Sequence, residues 1–109
     1  MHELAISQSV VDAVLARTGD AQVTLLRLDV GRLSGVVPDA LRFCFDLVVE
    51  GTSLEGARLL IDEPPGQGHC RDCGADFGLD VPILLCPCGS ADVEVTGGRD
   101  LLVRSVEVS

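Results

Sequence analysis

Four of the chain's five cysteines stand in two close pairs, Cys70 with Cys73 and Cys86 with Cys88. The first pair has the C-x2-C spacing and is followed by Gly74; the second, Cys86-Pro87-Cys88, is followed by Gly89. Two thiolate pairs closing one short loop supply the tetrahedral sulfur shell that zinc prefers. A glycine after each pair fits a knuckle turning around a metal, because such a turn needs a residue that tolerates positive φ. The second pair has one residue between its thiols where a zinc ribbon has two, which makes a tighter chelate loop with a proline inside it. Two disulfides, or one disulfide beside free thiols, are the alternatives. A Cys86–Cys88 bridge would close a strained ring. His69, next to Cys70, is a substitute ligand if one cysteine is out of reach, and Phe77 is expected to cover the site.

A second set of candidate ligands is at the start of the chain. The amine of Met1, the amide nitrogen of His2 and the His2 imidazole can close five- and six-membered chelate rings on one ion, and Glu3 can add its amide nitrogen or carboxylate. Nitrogen-rich ligands with a square-planar leaning suit Ni(II) or Cu(II) rather than zinc. The bulk of His2 favours retention of Met1. Taken alone, the three residues read more readily as a solvated histidine beside a terminus than as a metal site.

Composition narrows the function classes. The chain has 109 residues, enough for one domain or one small domain with an insert. It is 47% apolar with three phenylalanines and no tyrosine or tryptophan, so its core must be aliphatic. Eight basic against seventeen acidic residues give a net charge of −9, the wrong sign for nucleic-acid binding, which depends on neutralising phosphates. No apolar run reaches membrane-spanning length. Met1-His2-Glu3 carries an acid where a secretory signal would carry basic residues, and a cytoplasmic setting, where thiols stay reduced, is expected. Gly31-Arg32-Leu33-Ser34-Gly35 lacks the Lys-Ser/Thr pair of a phosphate loop. With no Ser/His/Asp set and no Cys–His pair outside the cluster, no catalytic residue is assigned and the chain is expected not to be an enzyme.

The elements that must position these residues follow from periodicity. Leu4 to Arg17 reads as a helix with Leu4, Val11, Val14 and Leu15 on one face and Ile6 and Val10 along its edge, stopped at Gly19. A strand spans 22–30. A second helix starts at Pro38 with the stripe Leu41, Cys44, Phe45 and Val48, which makes Cys44 a core residue. A strand over 57–63 is followed by Pro64-Pro65-Gly66-Gln67-Gly68, which reads as a linker. Residues 92–95 read as strand, 96–98 as a turn, and 101–108 as a strand rejoining the earlier sheet. The expected fold is α+β: two helices on a small mixed sheet of about three strands, with an inserted zinc-ribbon-like module. Residues 1–64 and 92–109 would form one discontinuous domain and 65–91 the zinc-binding insert.

The combination resembles the HypA/HybF family. The resemblance rests on Met1-His2-Glu3-Leu4, the Gly31 to Val36 loop, Gly56-Ala57-Arg58-Leu59, the two cysteine pairs, and Gly98-Arg99-Asp100-Leu101 to Glu107, and it covers essentially the whole chain. That family comprises nickel metallochaperones of [NiFe] hydrogenase maturation. The resemblance implies Ni(2+) as transferred cargo, with His2 as nickel ligand and the Met1 amine and Glu3 beside it. It implies structural Zn(2+) on Cys70, Cys73, Cys86 and Cys88, although the family's usual second pair, C-P-x-C-G, is one residue longer. Implied partners are a HypB-type nickel GTPase and the hydrogenase large-subunit precursor, with a homodimer as a further arrangement. A zinc-ribbon protein-interaction module without nickel transfer, and a rubredoxin-like iron carrier, are the rival readings.

Overall fold

Helix α1 spans His2–Thr18, with Glu3 in its first turn and Arg17 in its last, each at the end the helix dipole favours. Its buried face is Ser7, Val10, Val11 and Val14. Leu4, expected on that face, is 40% exposed: it lies in line with Val11 two turns later, but it sits in the first helical turn, before the buried run begins at Ser7. The buried Ser7 hydroxyl donates to the Glu3 carbonyl at 2.8 Å and contacts the Leu41 carbonyl at 3.4 Å, so no polar atom is stranded where α2 (Pro38–Val48) comes close. Pro38 occupies the first turn of α2, and Leu41, Cys44 and Phe45 are buried, which places Cys44 in the core. Contacts from Glu3 to Val37 and from Ser7 to Leu41 advance together along both chains, so the two helices run in the same direction.

The computed structural model describes residues 2–109, so Met1, assigned above to the nickel site, lies outside the described residues. The chain packs as two units. One comprises residues 2–28, Val36–Ile61 and Leu102–Ser109; the other comprises Asp29–Gly35 and Asp62–Leu101. The first carries the helices and a sheet in the order β2-β1-β6, with β1 at Val23–Val30, β2 at Arg58–Asp62 and β6 at Leu101–Val108. Central strand β1 buries Val23, Leu26, Leu28 and Val30. Ser109 N–H donates to the Gln22 carbonyl, setting the end of β6 beside the start of β1, so this pair is antiparallel. The C-terminal strand thus joins the first sheet as its pattern indicates, and the α+β class holds.

The second unit has its own antiparallel sheet in the order β4-β3-β5, from β3 (Gly66–Cys70), β4 (Asp76–Leu79) and β5 (Val93–Gly97). Two expectations change here. Gly66-Gln67-Gly68 is strand, not linker. At Gly66 the chain passes so near the Leu79 carbonyl that an added Cβ would clash, and it would also meet the Leu33 side chain at 2.5 Å. Glycine here permits close approach rather than ending the strand. The strand beginning at Val93 pairs with β3, because Val93 closes onto Cys70 and Leu79, with a register shift between Gln67 and Gly68.

Candidate metal centre

The end of β3 delivers Cys70 directly into the first knuckle. Gly74, at φ +77°, donates its N–H to the Cys70 carbonyl, and Cys70 N–H donates to the Ala75 carbonyl, both at 2.9 Å. The second knuckle is one residue shorter and closes one residue sooner. Gly89, at φ +98°, donates to the Cys86 carbonyl at 2.8 Å, and Cys86 N–H donates to the Ser90 carbonyl at 2.9 Å. Each turn also aims an amide at sulfur: Cys73 N–H toward Cys70 Sγ and Cys88 N–H toward Cys86 Sγ, both at 3.4 Å. Pro87 has no N–H, so the second contact falls to Cys88.

The four sulfurs lie within 4.8 Å of one another. Cys70 and Cys88 are 3.8 Å apart and Cys73 and Cys86 3.6 Å apart. A disulfide requires about 2.05 Å, and all five cysteines are free. Sulfurs placed tetrahedrally around zinc at about 2.3 Å are separated by about 3.8 Å, so the donor set fits zinc in type, number and spacing. His69 is not in the group. Its Nδ1 lies 2.8 Å from Asp76 Oδ1, the residue opposite it in the β3–β4 register. Phe77 packs against the core of Cys70, Leu79, Cys86 and Val93.

Sequence reading missed the side chains that lace the knuckles together. Ser90 hydrogen-bonds the Asp72 carboxylate and accepts from Asp92 N–H at 3.1 Å. Arg71 donates to Asp92 at 2.9 Å while its own N–H donates to the Asp92 carbonyl. Arg71 and Asp72 between the first two cysteines, and Ser90 and Asp92 shortly after the second pair, are the only sequence signal of this network, and they do not reveal their partners.

The thiols are held at different acidities. Cys70 is lowered to about 6, chiefly by the Cys73 N–H, with burial opposing and the Asp72 N–H assisting. At Cys86 the Cys88 N–H also stabilises the thiolate, but burial and the neighbouring sulfurs outweigh it and push the thiol up to about 12. At Cys73 the Ala75 N–H and Cys86 act downward, but Cys70, burial and Cys88 leave it raised. A metal binds thiolates, so at pH 7 Cys70 is already ionised while Cys73 and Cys86 must release protons on loading. Affinity for zinc is therefore expected to rise with pH. As pH falls through about 6 the Cys70 thiol also protonates, adding one released proton per metal bound. Calorimetric titration in two buffers of different ionisation enthalpy measures that count; a pH-independent count would contradict it.

His2 is the first described residue of α1 and is exposed. The Glu3 carboxylate accepts from Val37 N–H at 3.4 Å, at the start of α2. Among the described residues, the four cysteines are the only group of three or more His, Cys, Asp and Glu side chains placed to hold a metal. No described helix is long and apolar enough to cross a membrane.

Comparison with known proteins places this arrangement. Residues 1–108 match the family model described as HypA, hydrogenase/urease nickel incorporation, metallochaperone. The chain is 47% identical over 109 residues to the hydrogenase maturation factor HypA of Geotalea uraniireducens, covering 99% of both chains. It is 44% identical over 108 residues to that of Nostoc punctiforme, covering 99% of this chain and 96% of the relative. In fold it matches the solution structure of the Ni metallochaperone HypA from Helicobacter pylori with a TM-score of 0.69 at 20% identity, over 97% of this chain and 96% of the other. The chain belongs to the HypA family of hydrogenase maturation metallochaperones.

Proposed function

We propose that the chain binds Ni(II) at its amino terminus through His2, the Met1 amine and Glu3, and delivers it for [NiFe] hydrogenase maturation. The observation that carries this reading is the placement of His2: an exposed imidazole at the start of α1, in a chain of a nickel-handling family, and not a member of the four-cysteine group. The described side chains around it supply no second metal-holding group, so the remaining ligands come from the backbone. Amides of the first helical turn have no intrahelical acceptor, so ligation by the His2 and Glu3 nitrogens breaks no helix hydrogen bond. The positive end of the helix dipole also favours the deprotonated amide. The Glu3 carboxylate is engaged with Val37, which makes the Glu3 amide the better-placed donor. Few ligands at an exposed end hold an ion without trapping it, as a carrier requires.

Zinc on Cys70, Cys73, Cys86 and Cys88 is structural in this reading, since four thiolates leave no open position. The protein is not an enzyme; it acts in the cytoplasm with a HypB-type GTPase and the large-subunit precursor, and self-association is compatible with that role. Adding one residue ahead of Met1 tests the ligand set, because it moves the terminal amine out of the chelate. Equilibrium dialysis is expected to show stoichiometric nickel lost and zinc retained. Unchanged nickel binding would overturn the proposal.

A further inference from the structure

The outer face of α2 is not wholly polar. Leu41, Cys44 and Phe45 fill its buried side. Phe43 nevertheless stands 67% exposed, more than any other large apolar side chain described, and Leu47, one turn on, is 51% exposed. Single exposed apolar residues are ordinary. Two on one i, i+4 row form a ridge of the kind that packs into the groove of another helix, and aromatic rings are enriched where proteins meet.

The charges around that ridge share one sign. At 3.6 residues per turn, Asp39, Phe43, Asp46 and Leu47 fall within about 100° of the helix circumference. Val49 keeps helical torsion angles, φ −81° and ψ −14°, so Glu50 continues the same face. All three carboxylates are exposed, and among the described residues none has an ion-pair or hydrogen-bond partner. Two of them are poorly placed for the helix itself. Asp46 and Glu50 are four residues apart, a spacing at which like charges repel. They also stand at the carboxyl end, where the helix dipole disfavours anions and the last turn holds no basic residue. Cations brought by a partner relieve both.

We propose that this face docks an amphipathic helix of a partner protein. One apolar i, i+4 row of that helix closes over Phe43 and Leu47, and lysine or arginine beside the row reaches Asp39, Asp46 and Glu50. A second copy is the wrong occupant, since this face stacked on itself sets three more carboxylates against these. Helix α1 of another copy is no better, with a single arginine, Arg17, and no lysine. Val37 N–H, at the start of α2, donates to Glu3, so a partner on this face reaches the end of α1 that carries His2. A role in nickel exchange rests on the nickel reading above; the docking itself does not.

The test titrates the full zinc-loaded, nickel-free chain, isotopically labelled, with a capped, stapled helical peptide carrying leucine along one face and lysine beside it. Saturable shifts are expected at residues 39–50, with affinity at least about tenfold weaker in Phe43→Ser. A scrambled peptide of the same composition keeps the charge but loses the apolar row, and is expected to bind at least about tenfold more weakly. The double variant Asp46→Lys, Glu50→Lys is expected to lose the lysine peptide and to gain its glutamate counterpart. No saturable shift up to about 1 mM, shifts spread over the acidic surface at large, or equal binding of the scrambled peptide would overturn the proposal. So would indifference to Phe43→Ser, absence of the charge-swap rescue, or sedimentation showing a dimer in which Phe43 is already covered. With nickel absent throughout, failure here leaves the nickel site standing, and loss of the nickel site leaves the docking standing.

Discussion

Removing the metal from the four-cysteine cluster is expected to unfold the second unit and leave the first folded. The second unit's buried core is Cys70, Leu79, Cys86 and Val93, backed by partly buried Leu33, Phe77 and Val95. Two of those four core residues, Cys70 and Cys86, belong to the proposed zinc shell. Units near roughly 40 residues seldom hold a fold without metal or disulfide support, and the cysteines here are free. Structural zinc supplies about 10–16 kcal/mol to comparable small modules, as much as the whole stability of an ordinary domain. The first unit depends on no metal ligand: Val11, Val14, Leu26, Leu28, Leu41, Phe45 and Leu54 are buried in it. After chelation, amide hydrogen exchange in Gly66–Cys70, Asp76–Leu79 and Val93–Gly97 is expected to become fast while α1, α2 and β1 keep their protection. Retained protection in all three module strands would show that the thiols pack without metal.

The second large effect is expected from His2→Ala. In the proposed site the His2 imidazole is the side-chain nitrogen ligand, and it anchors the chelate rings through which the backbone nitrogens reach the same ion. Losing an outer-shell partner costs a metal site about 10–100-fold in affinity, so losing this ligand should cost more than about 100-fold. Folding should be untouched, since His2 is exposed at the helix start and is far in sequence from Cys70, Cys73, Cys86 and Cys88. The expected result is therefore selective: nickel affinity collapses, zinc content stays stoichiometric, and hydrogen exchange is unchanged. Parallel loss of zinc would mean that the two sites are not independent.

Sequence carried some of this further than the rest. Helices α1 and α2 and strand β1 were legible because period-3.6 and period-2 patterns report directly which face is buried. The cysteine cluster was legible because thiol spacing is itself a geometric statement, even with Cys86-Pro87-Cys88 one residue short. What the spacing could not convey is that the shorter knuckle closes by moving its turn hydrogen bond one residue earlier, onto Gly89. Gly66-Gln67-Gly68 misled for a physical reason: glycine ends a strand or lets two chains approach, and only the neighbours Leu33 and Leu79 decide which. The exposed Leu4 shows the limit of helical periodicity at a helix end, where the stripe continues but the layer it packs on does not. The contact between Glu3 and Val37 arises from a pairing remote in sequence and leaves no local pattern.

X-ray absorption at the nickel edge, on the zinc-loaded protein with its native amino terminus and one equivalent of nickel, tests the central claim most directly. Nickel bound at the amino terminus is expected to show a first shell of nitrogen and oxygen with outer-shell scattering from one imidazole, and to leave the sulfur shell at the zinc edge undisturbed. Nickel surrounded by sulfur would place the ion in the cysteine cluster and contradict it.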